Sequence, residues 1–229
     1  MCGRFVATIK PAQLAPYLRV DEIRTEDLDA SWNVAPTDPV YAVAETCDDR
    51  RLLGTYRWGL VPSWAKDVKI GVRMINARAE TLTSKFARVF ERRRCLLPAD
   101  GFYEWEKLEG GGKQAWFIHR SDEAPVVFGG LWELWRDPDG PDDADPLRTC
   151  TIITTAANDL LRPIHDRMPV VVSPQDWDRW LDRDVTDAAE VSDLLAPADP
   201  RQFERYQVSS RVNSVRNNAG DLVSPLNPG

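Results

Sequence analysis

The sequence is poor in the residues that most often announce a functional site. Only four cysteines (Cys2, Cys47, Cys95 and Cys150) and two histidines (His119 and His165) occur in 229 residues. The cysteines lie far apart, with no CxxC and no histidine at ligand spacing. Neither a metal site nor a disulfide framework is therefore expected, and a reducing, cytoplasmic setting fits best. No run approaches the ~20 apolar residues that a membrane span needs. The opening residues MCGRFVATIK lack the apolar stretch of a secretory signal, which speaks against the acylated cysteine of a processed lipoprotein. Met-Gly, needed for myristoylation, is also missing. GxGxxG, GxxxxGKS/T, GxSxG and HExxH are all absent, so the common cofactor, phosphate and metalloprotease sites are unsupported.

What is present is a chain that is 43% hydrophobic with nine tryptophans, enough to bury a substantial core. The net charge of −7 argues against indiscriminate coating of nucleic acid. Its distribution is uneven: between Lys66 and Cys95 nine basic residues face three acidic ones, whereas acidity gathers in DPDGPDDADP and between Asp182 and Asp199. Such asymmetry permits an anionic ligand at one face. With no repeat and no long linker, a single domain over residues 1–229 is expected, with 137–146 as an acidic surface loop.

Strand-like runs recur at VYAVAET, RLLGTYRW, GFYEW, QAWFIHR, APVVFGG, CTIITTA and PVVVS. Helical pattern is limited to PAQLAPYLR, TLTSKFARVFERR, SPQDWDRWL with Pro174 in its first turn, and TDAAEVSDLL. Strands outnumber helices without alternating with them. The expectation is therefore an α+β fold, mainly antiparallel, whose small sheet curls or closes like a barrel and is flanked by helices.

Four features hold potential chemistry. Cys2 stands directly behind the initiator methionine, where a core rarely forms, so it is either incidental or the residue that becomes a reactive N-terminus. His165 lies in RPIHDRMP between Pro163 and Pro169, which limit backbone freedom, whereas His119 ends an apolar run. In PADGFYEWEK, period-2 alternation puts Phe102, Glu104 and Glu106 on one face and Tyr103 and Trp105 on the other. The segment alone fits either a solvent-facing Glu104 or a desolvated one with a raised pKa suited to proton transfer. In MINARAE, Asn76 and Arg78 share a face and could hold a phosphate, a sugar oxygen or the protein's own loops.

Taken with MCGRF, the blocks NVAP, RWGLVPSWAKD, INARAET, LLPADGFYEW, TTAAND, IHDRMP and VNSVRNN occur in one order from residue 2 to about 218. On these blocks the chain resembles the SRAP family, the SOS-response-associated peptidase domains also called abasic-site processing proteins. It departs from some relatives in carrying one tryptophan in PSWA. The resemblance implies that Met1 is removed, that Cys2 becomes the catalytic N-terminus, and that Asn76, Glu104 and His165 complete the catalytic set. It further implies that Arg4, Asn33, Trp64, Arg78, Lys85 and Arg167 contact DNA. The implied partner is single-stranded or junction DNA containing abasic sites, handled by a monomer without cofactor, metal or membrane and associated with the nucleoid when bound to damage.

An N-terminal cysteine offers an amine and a thiol to the ring-opened aldehyde of an abasic site. In water these titrate at ~8 and ~8.5, and together they can close a thiazolidine. Two alternatives remain at this stage: a thiol peptidase with Cys2 as nucleophile and His165 or Glu104 as base, and a non-covalent single-strand binder in which Cys2 is structural.

Overall fold

The computed structural model describes residues 2–226, so the expected loss of Met1 concerns a residue outside them. In chain order the strands are β1 (Phe5–Ala7), β2 (Glu22–Arg24), β3 (Ser31–Val34), β4 (Pro39–Glu45), β5 (Arg51–Trp58), β6 (Asn76–Arg78), β7 (Arg94–Ala99), β8 (Gly101–Lys107), β9 (Lys113–Arg120), β10 (Val126–Trp135), β11 (Leu147–Ala156), β12 (Arg167–Pro169) and β13 (Phe203–Val208). The α-helices are short: α1 (Pro11–Tyr17), α2 (Leu82–Lys85), α3 (Ala87–Arg92) and α4 (Trp177–Leu181).

Strands β11, β10, β7, β4 and β5 follow one another in a sheet, and β5 then pairs back onto β11 in parallel, which closes a five-stranded barrel. Alternation along these strands sorts the side chains. Val40, Ala42, Tyr56, Trp58, Cys95, Leu97, Phe128, Cys150 and Ile152 fill one buried cluster inside. Val43, Leu53, Leu96, Val127, Leu131 and Ile153 belong to a second, with the helix residues Leu14, Leu82, Phe90, Trp177 and Trp180. The interior is tight enough that a Cβ at Gly130 would run into Leu97 and lie 2.7 Å from the Thr151 carbonyl.

A second sheet, ordered β13, β9, β8, β1, β3, covers one end of the barrel. Its inward face sends Phe5, Phe102, Ile118 and Phe203 into the barrel cluster, where the Phe102 and Phe5 rings each meet Phe128 edge-on at 5.9 Å. Its outward face, with Val6, Tyr103, Phe117 and Val208, is sealed by Val212 and Leu222 from the C-terminal turns. Every residue of β8 thus has a core on one side or the other up to Glu104.

Four expectations are corrected. PVVVS does not form one continuous strand: its hydrogen bonds alternate, Val170 N–H to Ile153 and Val172 N–H to Val127, so the segment wedges between the end of β11 and the start of β10. The 81–93 run breaks at Phe86, whose φ of −121° leaves the helical region and lets the ring point inward between α2 and α3. SPQDWDRWL turns helical only at Trp177, and TDAAEVSDLL is a 3₁₀ segment over Ala188–Leu195 with only Val191 fully buried, too narrow an apolar stripe to hold an α-helix. The acidic 137–146 stretch is a largely exposed loop between β10 and β11.

Candidate active site

The end of the barrel beneath the second sheet brings Cys2 together with Asn76 and Glu104, and the Asp166 carboxylate next to His165 is near enough to act on Glu104. Cys2 is completely buried within the barrel cluster that also holds Phe5, Trp58, Phe128 and Ile152. Asn76 sits on β6, which runs parallel to β11 with Asn76 opposite Ile152. Its carboxamide Nδ2 donates to the Cys2 carbonyl at 2.8 Å. The other end of that amide, Oδ1, is buried and has no donor among the described residues. It is an acceptor held in place and open to a hydroxyl or an amine.

Glu104 lies on the inward face of β8 beside Phe102 and is 3% exposed. Of the two faces that alternation left open, the carboxyl takes the desolvated one. Burial pushes its pKa above the usual carboxylate range. The same burial, reinforced by the Glu104 charge, pushes the Cys2 thiol far above an ordinary cysteine, against a smaller downward pull from the Arg4 backbone N–H that bonds it. Burial here favours the thiol over the thiolate.

His165 ends a turn that the sequence signalled through its prolines and that hydrogen bonds then lock. Asn158 Oδ1 accepts from Leu161 N–H, His165 N–H reaches Leu161, and Ala157 N–H reaches Asp166. The imidazole is half-buried, and burial lowers its pKa. Two groups compete for Nδ1: the Arg167 N–H donates to it at 3.0 Å, and the exposed Asp166 carboxylate stands 2.8 Å away. The first favours a neutral ring with an acceptor at Nδ1 and the second a protonated one, and burial, the larger effect, tips the ring toward the neutral form. Asp166 was not anticipated, although it adjoins His165 in the sequence.

The expected DNA-contacting residues divide into exposed and engaged groups. Trp64 is 75% exposed, between the buried Val61 and Ala65, the latter fixed through its carbonyl by Trp135 Nε1. Arg78 and Lys85 are exposed, and Arg78 lies about 7 Å along β6 from Asn76. Arg4 is half-buried, with Nη1 donating to Asn33 Oδ1 at 2.7 Å and to the Val212 carbonyl at 2.9 Å, and its guanidinium over Trp105. Asn33 is buried, and its Nδ2 donates to the carbonyls of Val212, Ser214 and Asn217. A direct contact between Asn33 and nucleic acid would have to break this set; in the structure the residue clasps the VNSVRNN turn instead. Arg167 makes a two-pronged pair with Glu80 at 2.6 and 3.0 Å and also reaches the Thr154 carbonyl. Of the basic run, Arg94 is an interior residue whose guanidinium holds the carbonyls of Phe90, Trp180, Asp182 and Val185, and Arg93 pairs with Glu133. Lys66, Lys69, Arg73, Arg78, Lys85, Arg88 and Arg92 remain at the surface. Among the described residues no cluster of His, Cys, Asp and Glu could hold a metal ion, and no helix is long and apolar enough to cross a membrane.

These features define a class: α+β proteins in which a closed five-stranded barrel, capped by a second sheet, buries a cysteine near the start of the chain together with a carboxyl and a carboxamide. The chain belongs to the SOS response associated peptidase (SRAP) family, whose model matches residues 1–215. It is 42% identical over 226 residues to the abasic site processing protein YoqW of Bacillus subtilis (strain 168), covering 97% of this chain and 99% of that protein. To the abasic site processing protein YedK of Escherichia coli (strain K12) it is 31% identical over 236 residues, covering 99% and 100%. A solved protein from Bacteroides thetaiotaomicron shares the fold with a TM-score of 0.85 at 24% identity, covering 98% of this chain and 100% of that one.

Proposed function

We propose that this protein acts in the response to DNA damage by recognising abasic sites in single-stranded or junction DNA and linking itself to them covalently through Cys2. The observation that carries the reading is the burial of Cys2 against Asn76 and Glu104 at one end of the barrel, 74 and 102 positions away in the chain. The names of the relatives, abasic site processing proteins, support the substrate. The reading needs Met1 to be removed, which frees the Cys2 amine.

The amine nitrogen forms a bond to the aldehyde carbon of the ring-opened sugar, and water leaves the carbinolamine to give an imine. The thiol sulfur then bonds to that carbon while its proton passes to the imine nitrogen, closing a five-membered thiazolidine. Burial disfavours the thiolate, which fits attack by the amine first, with a base relaying the sulfur's proton to the imine nitrogen at closure. Glu104 and His165, with pKa values moved toward each other by burial, suit the proton transfers of dehydration and closure. Asn76 Oδ1 would receive a sugar hydroxyl or the amine. Arg78, Lys85 and Arg4 would neutralise phosphates, and Trp64 would stack on a base. Asn33 contributes by holding Arg4 and the 210–218 turn, and Arg167 reaches a phosphate by exchanging Glu80 for it. A thiol peptidase would instead need a resting thiolate, which this environment disfavours.

The test is mass spectrometry and denaturing electrophoresis after exposure to an abasic oligonucleotide. The native protein gives an adduct that persists without reduction. Cys2→Ser keeps the amine but not the thiol, so its adduct persists only after borohydride. A variant retaining one extra residue before Cys2 lacks the free aminothiol and gives no adduct that persists without reduction, although its thiol remains. A stable adduct from that extended variant at the normal rate would overturn the aminothiol mechanism.

A further inference from the structure

The other end of the barrel is open. Strand β5 touches β11 only through Arg57 and Trp58, and its first half leaves to pair with β2 through Leu52–Gly54. The split creates a cavity of about 770 Å³. Along β11, Arg148 at this mouth and Ile152 beside Asn76 are four residues, or about 13 Å, apart, and the buried Trp58, Cys95 and Cys150 fill the space between. The cavity is therefore separate from the Cys2 site.

Its floor is apolar: the Tyr56 and Trp132 rings meet edge-on at 6.0 Å beside Gly54. Its rim is cationic. Of the four arginines there, Arg24 is paired with Glu22 and Arg183 donates to the Glu45 carbonyl, but Arg57 and Arg148 form no ion pair among the described residues. Arg57 Nη1 is buried without an acceptor among those residues, an arrangement costly in a protein interior unless something fills the role. The rim carboxylates are Glu45, already 3.9 Å from Arg51, and Asp145 in the acidic loop. In a chain of net charge −7 a surplus of unpaired guanidinium over a ring-lined floor is a selective feature.

We propose that this mouth binds a nucleoside phosphate, its planar base against the Tyr56 and Trp132 floor and its phosphate on Arg57 and Arg148. Guanidinium forks match phosphate oxygens two at a time, and barrel mouths are recurrent ligand sites. The phosphate could belong to a free mononucleotide or to the 5′ end of a nucleic acid strand.

Isothermal titration of the full-length protein with 2′-deoxyadenosine 5′-monophosphate tests the assignment. Binding is expected, with deoxyadenosine alone and inorganic phosphate alone each weaker by about tenfold or more. Arg148→Glu, an exposed position that leaves the core intact, should weaken binding by about tenfold or more. Gly54→Val narrows the floor: its Cβ meets only Tyr56 Cε2 at 3.4 Å and Arg148 Nη1 at 3.9 Å, and binding should be lost while the circular dichroism spectrum stays that of the parent. A 5′-phosphorylated oligonucleotide that competes where its 5′-hydroxyl counterpart does not would assign the site to strand ends; no competition would assign it to free nucleotide. Absence of binding up to about 1 mM, or equal binding by the parent, Arg148→Glu and Gly54→Val proteins, would overturn the proposal.

Discussion

Glu104 shows how a single residue's role follows from which side of a strand it occupies. The run FYEWE fixes its face relative to Phe102, but only the second sheet, folded over the barrel end, makes that face interior. Burial raises its pKa, so the folded state favours the protonated carboxyl. The linkage follows: the group's contribution is fully present below the unfolded value of ~4.3 and is lost as pH rises through the higher folded value. Glu104→Gln, uncharged at every pH, should therefore melt at a higher temperature than the parent at pH 7, with the gap narrowing as pH falls toward 4. The same variant should form the abasic adduct about 10²- to 10⁴-fold more slowly, as expected for loss of a general acid–base group. Thermal melts across pH and single-turnover adduct kinetics check the two halves. A melt that fell at neutral pH would mean that Glu104 is stabilised by its charge and not strained by burial.

At the scale of elements, the site is held by turns tied across long sequence separations, and here the sequence is legible only in part. His165 is marked by its flanking prolines, and Cys2, Asn76 and Glu104 by the family blocks that contain them. What joins the blocks is not visible. NVAP and VNSVRNN stand about 180 positions apart, yet Asn33 fastens the second block by three side-chain bonds and anchors Arg4 with its oxygen. Nothing in either block announces the other, since hydrogen bonds between a carboxamide and backbone carbonyls leave no composition or periodicity. Likewise Arg94 reads as one of a run of surface cations, and only its place at the start of β7 turns it inward onto four carbonyls. Asn33→Ala should take one of its two acceptors from Arg4 Nη1 and the side-chain donor from the Val212, Ser214 and Asn217 carbonyls, and so destabilise the fold by about 1–3 kcal/mol. Hydrogen exchange over residues 210–218 should rise by more than the global change accounts for. Exchange unchanged there would show that the turn is held without Asn33, by the Trp32 N–H on Asn218, Trp105 Nε1 on Asn213 and the packing of Val212 and Leu222.

For the whole molecule, alternation and turn residues foretell a mainly antiparallel α+β fold, because the long strands β4, β5, β8, β9, β10 and β11 have clear faces. Closure is less readable: the β5–β11 pairing spans two residues in parallel, and short strands such as β2 and β6 carry too little pattern to stand out from loops. Charge is where the global view corrects the local one. Net charge is negative, and of the basic stretch from 66 to 95 two arginines serve the interior or an ion pair, leaving the surface lysines and arginines to meet an anion. If the proposed DNA contacts operate, electrostatic and stacking parts of the affinity should separate. Removing one cation that neutralises a single-strand phosphate should reduce the slope of log K against log salt by about 0.7, so Arg78→Ala with Lys85→Ala should flatten it by about 1.4. Trp64→Ala should leave that slope unchanged while weakening binding by about 1–3 kcal/mol at every salt concentration, since a stacking ring releases no counterions. Fluorescence anisotropy with a single-stranded oligonucleotide over a salt series reads both. If Trp64→Ala changed the slope, or the double variant weakened binding equally at low and high salt, the division of labour between the exposed ring and the exposed cations would be wrong.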